Sequence, residues 1–554
     1  MMSDSKTNVG DLVAAFLEAC GVTAAYGVIS IHNMPVLDAF GRRGRIRFVP
    51  ARGEAGALNM ADAHARTSGN IGVALTSTGT AAGNAAGGMV EALTAGSPVV
   101  HITGQIEAPY VDRGRSLIHE ARSQLEMLRA VSKAAYRIWS PETALGVLQE
   151  AVRTALTAPT GPVSIEIPID VQKAAVAIPA DLAPLPIAVA APDAASIAAA
   201  AKRLAAARRP LLWCGGGAKH AGAAVSRLAA LGVGVVTSVN GRAVIAEDDP
   251  MTLGAFNMLP PVEAFYKTCD LLIVAGSRLR GNETRNFAMA LPTPIIQIDA
   301  DAAMRGRAYP ADVFIGADAA AALSALADAA AGRFAPDPRF RDDIAAARAA
   351  AEASVRDGLG PYARLVEELQ SAMPRDAVWV RDITISNSTW GNRLLRVFDP
   401  RAAVHAVGGG IGQGVPMALG AALGSGRKVV CLSGDGGLAL CMTELAAISQ
   451  ERADVTLLVM NDKGYGVIRN IQDAQYGARH YYTDIFVPDL ADLARLMRIP
   501  HRRVAALDAF APAIAEALAV KGPAMVEIDM TAIGPFARAF AGPPSVAAKP
   551  VPAQ

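Results

Sequence analysis

The sequence predicts an α/β protein made of three doubly wound parallel-sheet domains. Two observations support this prediction. Short, continuously apolar segments such as PLLWCGGG and VTLLVMND end in glycine or polar residues, as buried parallel strands do. Segments with helical spacing alternate with these strands along the chain, which is the pattern of crossover units in parallel sheets.

The composition limits the classes of function open to the chain. Its 554 residues suit about three domains, and a hydrophobic fraction of 52% with 19% charged residues is typical of a well-buried globular protein. A net charge of +1 without a lysine or arginine run predicts neither a nucleic-acid nor a membrane surface. Scattered cysteines without a CxxC motif, a polar start without a signal region and no apolar run of membrane length predict a cytoplasmic protein.

The order of strands and helices predicts three blocks and a loose tail. The first block covers residues 1–180, the second 190–340 and the third 355–535, and the tail is 536–554. An Ala/Pro-rich segment at 174–196 is typical of a linker, and AAGRFAPDPRF marks a softer boundary before the third block.

In the third block, a Gly-Asp-Gly turn and an Asn-Asp turn predict a metal site. VVCLSGDGG and VTLLVMND are apolar strands joined by a helix, which makes a right-handed crossover between parallel strands. The carboxyl ends of parallel strands meet at one edge, so Asp435 and Asp462 should lie together there. Two carboxylates and a backbone carbonyl suit Mg²⁺, and the glycines let backbone N–H groups approach a phosphate. The first interpretation is a magnesium diphosphate site.

The first block carries a glutamate at the start of a predicted helix. Glu54 follows a short strand and opens an Ala-rich helix, and one reading is a helix-N-terminal glutamate that interacts with the helix dipole. Two further segments favour a functional reading. TSTGTAAGNAAGGMVEAL is a glycine-rich strand-to-helix turn, and ITGQIEAPY follows another strand end.

These segments together resemble the thiamine-diphosphate-dependent enzymes of the acetolactate synthase, benzoylformate decarboxylase and pyruvate oxidase group. Four motifs carry the resemblance in the family's order, namely RGEAGA, ITGQ, GGGIGQGVPMALGAA and the GDG…ND pair. The resemblance covers nearly the whole chain. It implies an N-terminal pyrimidine-binding domain, a central α/β domain and a C-terminal domain that binds diphosphate and Mg²⁺.

The resemblance implies which residues activate the cofactor. Glu54 would hydrogen bond to N1′ of the pyrimidine and favour the imino tautomer that takes the C2 proton. Ile411, between Gly410 and Gly412, would prop the cofactor in a bent shape, with the Gly410 carbonyl accepting from the 4′-amino group. The alternative for Ile411 is a plain core residue. In relatives the first domain of one chain faces the third domain of another, which implies a homodimer or homotetramer with shared active sites.

The resemblance also implies the ligands of the metal and the diphosphate. Asp435 and Asp462 would supply carboxylates and Gly464 its carbonyl. Many relatives have asparagine at the second of these positions, so the extra charge of Asp462 should tighten metal binding. Further cofactor contacts are expected from Gly436, Gly437, Ser386, Asn387 and Tyr465.

Two histidines are candidates for proton transfer on the substrate side. His32 lies just past a strand end, and His119 lies where several relatives have an active-site glutamine. Imidazoles near C2 could move protons to and from carbinol intermediates. The alternative for each is an ordinary loop histidine, and His64, on the helix after Glu54, is expected to be structural.

The chain departs from acetolactate synthase at several places. Ile471 stands where that enzyme has a tryptophan that selects the larger acceptor. Residues 253–261 lack the flavin-contact pattern, so FAD is not expected. The GGG at 215–217 follows a strand and leaves a nucleotide in the central domain open.

The resemblance favours a thiamine-diphosphate- and Mg²⁺-dependent enzyme that decarboxylates a 2-oxo acid through an enamine. Protonation of the enamine would give an aldehyde, and addition to a second carbonyl would give a carboligase product; the sequence does not separate these outcomes. The alternatives are an acetyltransferase or C–C bond hydrolase with the same cofactor, a flavin-dependent oxidase, and a non-catalytic relative. Arg113, Arg115 and Arg122 are candidates for the anion pocket that a phosphate-dependent transferase needs. The presence of Glu54 and both aspartates argues against a non-catalytic relative.

Overall fold

Three parallel sheets organise the protein. The structure, a computed structural model, describes residues 7–542, so residues 543–554 of the predicted tail lie outside it. Within each sheet, every neighbouring pair of strands runs parallel, and helices connect the strands. The predicted fold class, three doubly wound α/β domains, is therefore confirmed.

The first domain contains a six-stranded sheet with the order β2-β1-β3-β4-β6-β5. Its strands are β1 (Ala24–Gly27), β2 (Arg47–Pro50), β3 (Gly72–Thr76), β4 (Val99–Gln105), β5 (Ala134–Arg137) and β6 (Val163–Pro168). Its helices are α1 (Val9–Ala19), α2 (Met34–Arg43), α3 (Glu54–Ser68), α4 (Thr80–Asn84), α5 (Ala86–Ala95), α6 (Gln124–Val131), α7 (Ala144–Leu156) and α8 (Ile169–Lys173).

The central domain contains a five-stranded sheet, built from strands β7 to β11. Its strands are β7 (Pro210–Cys214), β8 (Gly234–Thr237), β9 (Leu271–Ala275), β10 (Ile295–Asp299) and β11 (Val313–Gly316), in the order β11-β10-β9-β7-β8. Its helices are α9 (Ala194–Ala206), α10 (Gly222–Ala230), α11 (Pro260–Tyr266) and α12 (Ala319–Ala330), and α13 (Phe340–Leu359) leads to the next domain.

The third domain repeats the topology of the first. Its strands are β12 (Val378–Arg381), β13 (Ala403–His405), β14 (Val429–Gly434), β15 (Val455–Asn461), β16 (His501–Val504) and β17 (Ala524–Asp529), in the order β13-β12-β14-β15-β17-β16. Its helices are α14 (Tyr362–Ala372), α15 (Gly414–Ser425), α16 (Asp435–Cys441), α17 (Glu444–Glu451), α18 (Gly466–Gln475), α19 (Leu490–Leu496), α20 (Phe510–Ala519) and α21 (Met530–Ile533). When the six strands of each sheet are numbered from one in chain order, both domains have the order 2-1-3-4-6-5.

The repeated topology makes α3 and α15 equivalent, because each follows the second strand of its sheet, and the two helices pack on each other. α3 runs from Glu54 to its left-handed C-cap at Gly69, which matches the Ala-rich segment in the sequence. A Cβ at Gly420 of α15 would collide with the backbone of Met60 in α3, so the two helices approach at backbone distance. Glu54 is the first residue of α3, and the glycine-rich turn lies directly before Gly414, the first residue of α15.

The central strands of all three sheets are buried on both faces. β4, β9 and β15 are buried along their whole length, which explains their continuous apolar sequences. Across residues 7–542, no helix is both long enough and apolar enough to cross a bilayer.

One buried histidine should make stability depend on pH. His101 in β4 contacts the hydroxyls of Thr76 and Ser164 at 2.9 and 3.1 Å, and burial lowers its pKa from 6.5 to about 4. Between these two values the unfolded chain holds a proton that the folded chain lacks. Stability is therefore retained above the unfolded pKa and lost as pH falls toward the folded one, by about 1.4 kcal/mol per pH unit.

Urea unfolding of the wild type and of His101→Asn measures this effect. The stability advantage of the wild type over the variant should shrink as pH falls from about 7 to about 5. Parallel pH profiles for the two proteins would show that His101 does not carry the effect.

Candidate active site

The predicted metal ligands meet at the carboxyl edge of the third sheet. Asp435 follows β14 and starts α16, and Asp462 follows β15. The Asp435 carboxylate accepts hydrogen bonds from the backbone N–H of Gly464 at 2.8 Å and of Asp462 at 3.2 Å. The strand–helix–strand crossover thus brings both carboxylates and the Gly464 backbone together. This is the hard-oxygen donor set that suits Mg²⁺.

Burial disfavours the charge of both aspartates. Burial raises the pKa of Asp435, and burial followed by the charge of Asp435 raises the pKa of Asp462 to about 7. Arg469 on α18 offsets part of this repulsion, and its guanidinium donates to the Asp462 carbonyl at 3.3 Å. A divalent cation between the carboxylates would remove the repulsion, so the site's electrostatics fit a bound metal ion.

The loops beside this edge offer polar atoms without partners. Ser386 and Asn387 are buried, and within residues 7–542 neither Ser386 Oγ nor Asn387 Oδ1 has a hydrogen-bond partner. Their loop contacts the GDG turn, because Thr384 lies 3.4 Å from the Cβ position of Gly434. Buried polar atoms without partners are costly, which fits a polar ligand at this edge: the Ser386 hydroxyl can donate to an anion such as a diphosphate, whereas Asn387 Oδ1 can only accept.

The glycines at the start of α16 let neighbouring segments pack closely against the GDG turn. Gly436 and Gly437 are buried in the first turn of α16. A Cβ at Gly436 would lie 2.7 Å from both the Gly464 carbonyl and the Tyr465 ring, so Tyr465 packs beside the metal loop. Backbone N–H groups at a helix start can approach an anion closely when no side chain intervenes.

The glycine-rich turn before α15 presents Ile411 to solvent. Ile411 is 40% exposed, so the alternative reading as a plain core residue is wrong. Gly412 has φ +78°, and a Cβ there would lie 2.7 Å from Leu440 Cβ on α16. Gly410 lies against the amide of Gln413. The turn therefore stands directly beside the GDG turn.

Sequence reasoning missed a buried carboxylate that contacts this turn. Asp382 follows β12, and its carboxylate accepts hydrogen bonds from the backbone N–H groups of Gly412 and Gly414 at 3.1 Å and of Ile383 at 2.7 Å. Burial raises its pKa to about 6, although these N–H groups favour the carboxylate. Its position after an apolar strand, at the same edge as Asp435, was the available signal.

In the first domain, Glu54 opens α3. Its carboxylate is half-buried and accepts a hydrogen bond from the Asn84 side chain at 3.2 Å. Another carboxylate that sequence reasoning missed, Glu444 of α17, accepts from the backbone N–H of Arg52 at 3.0 and 3.2 Å. Burial raises the pKa of Glu444 to about 7. The third domain therefore contacts the start of the Glu54 helix within one chain.

The structure brings His32 and His119 into contact. Their ring centroids are 5.2 Å apart with nearly perpendicular planes. His32 Nδ1 is buried and has no partner within the described chain, and burial followed by the proximity of His119 lowers the pKa of His32. A Cβ at Gly104 would collide with the His32 backbone, and one at Gly79 with the His119 backbone, so both loops lie on strand ends of the first sheet.

The other candidates near these histidines differ in their setting. His64 is buried and contacts the Tyr26 hydroxyl at 2.8 Å, which agrees with a structural role. Arg113, Arg115 and Arg122 are exposed in the loop around His119.

Within one chain, the first-domain group of Glu54, His32 and His119 remains apart from the third-domain group around Asp435. Across residues 7–542, no hydrogen bond joins Glu54 or either histidine to the Asp435 group. Both groups are flanked by exposed apolar side chains. Ile31 and Ile118, next to the histidines, are 68% and 83% exposed, and Leu440, next to Gly412, is 57% exposed. Such apolar surfaces are typical of a protein contact or a ligand groove.

The GGG of the central domain lines a separate cavity. Gly215–Gly217 follow β7, at the point where the strand order of the central sheet reverses, and form one wall of a cavity of about 220 Å³. Ser277 and Asp299 line the same cavity. Open α/β sheets bind ligands at such a point. The expectation that FAD does not bind stays a prediction.

Comparisons with known proteins match all three domains. Family models described as thiamine pyrophosphate enzyme match in order, with the N-terminal TPP binding domain at residues 7–127, the central domain at 197–326 and the C-terminal TPP binding domain at 384–528. A protein of Pseudomonas aeruginosa named "Probable 2-ketoarginine decarboxylase" is 30% identical over 85% of each chain. The "Acetolactate synthase isozyme 2 large subunit" of Escherichia coli is 28% identical over 94% of this chain and 95% of that one. "Acetolactate synthase 1, chloroplastic" of Zea mays is 28% identical over 94% of this chain and 84% of that one.

Proposed function

The chain belongs to the thiamine pyrophosphate enzyme family, and on this premise we propose that it is a Mg²⁺-dependent 2-oxo acid decarboxylase or carboligase, similar to acetolactate synthase. The observation that carries the proposal is the pairing of Asp435, Asp462 and Gly464 at one sheet edge beside the Ile411 turn. The names of the relatives, a decarboxylase and acetolactate synthases, support the substrate class.

The third domain would hold the cofactor's charged end. Asp435, Asp462 and the Gly464 carbonyl would bind Mg²⁺. The N–H groups of the GDG turn, the partnerless Ser386 hydroxyl and the side-chain NH₂ of Asn387 would donate hydrogen bonds to the diphosphate. When bound, thiamine diphosphate supplies a carbanion nucleophile and an electron sink for loss of CO₂.

The turn before α15 and Glu54 would act on the reactive end. Ile411 would support the bent cofactor, and the Gly410 carbonyl would accept a hydrogen bond from its amino group. The Glu54 carboxyl group would share a proton with the pyrimidine nitrogen, and Asn84, which donates to that carboxyl group, would orient it. These residues bind and orient the cofactor, and they control where its protons reside.

We infer that two copies of the chain build each site. Glu54 and the histidines of one copy would face Asp435 and Ile411 of the other, in a homodimer or homotetramer. The exposed Ile31, Ile118 and Leu440 side chains support this arrangement, since each lies beside one of the two groups. Association would bury these apolar surfaces and exclude water from the reacting atoms.

The histidine pair would serve the substrate. The rings of His32 and His119 are in edge-to-face contact, so both imidazoles would lie beside the same substrate. A neutral His32, favoured by its lowered pKa, can accept a proton, and His119 is the second candidate for proton transfer with the substrate.

Glutamine at either histidine is expected to lower kcat about 10²-fold, because general acid–base catalysis by one group contributes about that much or more. The affinity for the cofactor should change little, since among the described residues neither imidazole contacts Asp435, Asp462 or Gly464. Steady-state kinetics and cofactor titration measure both quantities. His64→Gln is the matched control and should affect stability without lowering kcat. Wild-type kcat in both loop variants would remove the histidines from the mechanism.

The proposed function is tested by supplying the purified protein with thiamine diphosphate, Mg²⁺ and a panel of 2-oxo acids. The panel contains pyruvate, benzoylformate, branched 2-oxo acids and 2-ketoarginine, and CO₂, aldehyde and acyloin are measured together. Cofactor-dependent CO₂ release is expected, and the accompanying product distinguishes a decarboxylase from a carboligase. Cofactor binding without conversion of any of these acids would contradict the proposed substrate class.

A further inference from the structure

Buried carboxylates hold both ends of the glycine-rich turn. Glu91, from α5 of the first domain, accepts hydrogen bonds from the backbone N–H of Val407 at 2.6 Å and of Gly408 at 2.8 Å. Asp382, from the end of β12, accepts from Gly412 and Gly414 at 3.1 Å. Between these two attachments, Gly409, Gly410 and Ile411 are held by neither carboxylate.

We propose that Asp382 is a positioning residue that fixes the Gly410–Gly412 turn, and with it the bend of the bound cofactor. This inference rests on the proposed function, because it assumes that Ile411 and the Gly410 carbonyl contact the cofactor. Asp382 itself acts through the turn and need not touch the cofactor.

The carboxylate is the acceptor on which the second half of the turn depends. Gly414 is the first residue of α15, so its N–H and that of Gly412 have no acceptor within the helix. Within residues 7–542, the hydrogen bonds of both N–H groups go to Asp382. Leaving such a buried donor without an acceptor costs about 1–3 kcal/mol. The turn would therefore move to find another partner if the carboxylate were removed.

Asp382 also joins the turn to the GDG segment. A Cβ at Gly437 would lie 3.0 Å from Asp382 Oδ2, and one at Gly414 would lie 2.8 Å from Asp382 Cβ. The side chain fills the space between the two glycine segments, at the point between β12 and β14 where the strand order reverses. It therefore fixes the distance between the segment that would hold the diphosphate and the segment that would bend the cofactor.

Asparagine at Asp382 tests this role with almost no change in shape. Both oxygens of Asp382 accept from N–H groups, since Oδ1 takes Ile383 and Gly412, and Oδ2 takes Gly412 and Gly414. An asparagine amide must turn its NH₂ toward one of these pairs, so at least one N–H loses its acceptor. The diphosphate and metal contacts stay in place, because they lie on other residues.

The readout is exchange of the C2 proton of bound thiamine diphosphate with deuterium, followed by NMR after acid quenching, without substrate. Asp382→Asn is expected to slow exchange at least about tenfold, equivalent to about 1.4 kcal/mol. The cofactor's Kd, measured by calorimetry, should stay within about threefold of wild type. A residue with a purely structural role would lower Tm without changing the exchange rate.

Asp11→Asn is the matched control, because Asp11 is a buried carboxylate of α1 that accepts from the Asn8 N–H and from Arg42 and belongs to neither glycine segment. It should lower Tm and leave exchange at the wild-type rate. If Asp382→Asn is insoluble, Asp382→Glu, which keeps the charge but moves the acceptor by one methylene, is measured in the same way. Wild-type exchange in the soluble Asp382 variant would overturn the inference.

The outcome separates this inference from the substrate proposal. Rapid exchange in the wild type without conversion of any 2-oxo acid contradicts the proposed substrate class and leaves the role of Asp382 intact. Conversion of a 2-oxo acid with equal exchange in the wild type and the Asp382 variant contradicts only the role of Asp382. A wild type that binds the cofactor but does not accelerate exchange contradicts both.

Discussion

Replacing Glu54 with glutamine is expected to reduce turnover by about 10²–10⁴-fold and to leave the fold unchanged. The carboxyl group can share a proton with a ring nitrogen, whereas an amide cannot take up or release one at that atom. Glu54 is half-buried at the start of α3, and its side-chain hydrogen bond from Asn84, the one it makes within residues 7–542, can also be accepted by an amide oxygen. Little destabilisation should therefore accompany the loss of activity.

Steady-state turnover and C2 proton exchange measure this effect together. Both should fall by a similar factor in Glu54→Gln, because the proposed role precedes substrate binding. Glu126→Gln, an exposed carboxylate-to-amide change in α6, is the matched control and should behave like the wild type. Turnover in Glu54→Gln within a few-fold of wild type would mean that Glu54 is only a helix-terminal glutamate.

Replacing Asp435 with asparagine is expected to lower Mg²⁺-dependent cofactor affinity at least about 10²-fold. The change removes a charge from the metal site. It also removes an acceptor, because both Asp435 oxygens take backbone N–H groups from the Asp462–Gly464 loop. An asparagine can satisfy only one of these groups, so the loop should shift as the metal ligand is weakened.

Asp462→Asn is the matched comparison and should have the smaller effect. The Asp462 carboxylate accepts from fewer backbone N–H groups, and its neutralisation also removes the repulsion by Asp435 that, after burial, raises the pKa of Asp462. Calorimetric titration of cofactor at several Mg²⁺ concentrations measures both variants. Equal cofactor affinities in the wild type and in Asp435→Asn would contradict the assignment of Asp435 as a metal ligand. Cofactor binding that does not depend on Mg²⁺ in the wild type would contradict it as well.

The proposed metal site at the carboxyl edge of the third sheet could be predicted from sequence, because its position follows from the local order of strand, helix and strand. A short strand–helix–strand crossover puts the two strand ends side by side, so Asp435 and Asp462 had to meet once both strands were recognised. The exposure of Ile411 could not be predicted in this way, because burial depends on what packs over the turn.

Asp382 and Glu444 escaped prediction for a different reason. Asp382 acts on a turn 30 residues away, and Glu444 on a backbone N–H 392 residues away in another domain. A local sequence motif gives no information about contacts between residues so far apart in the chain. A single carboxylate after a strand is, moreover, usually solvated. The contact between His32 and His119 is similar, since each histidine was a candidate but only the folded loops bring the rings together.

The shared topology of the first and third domains was also beyond the sequence. Alternating strands and helices predict parallel sheets, but not the order of strands within them. The structure gives both sheets one order, and this makes the start of α3, with Glu54, equivalent to the turn before α15, with Ile411. The two elements proposed to act on the cofactor's pyrimidine therefore occupy the same place in two related domains.

The most direct test of the shared site uses mixed oligomers. Chains carrying Glu54→Gln and chains carrying Asp435→Asn would bear different affinity tags, be co-expressed and be purified through both tags. C2 proton exchange of bound thiamine diphosphate is the measurement, because it needs no knowledge of the substrate. If each site combines Glu54 of one copy with Asp435 of the other, a mixed dimer has one intact site and should show about half the wild-type exchange, although each variant alone shows little. Exchange in the mixed dimer no higher than in the separate variants would mean that the site is built within one chain, and would contradict the account.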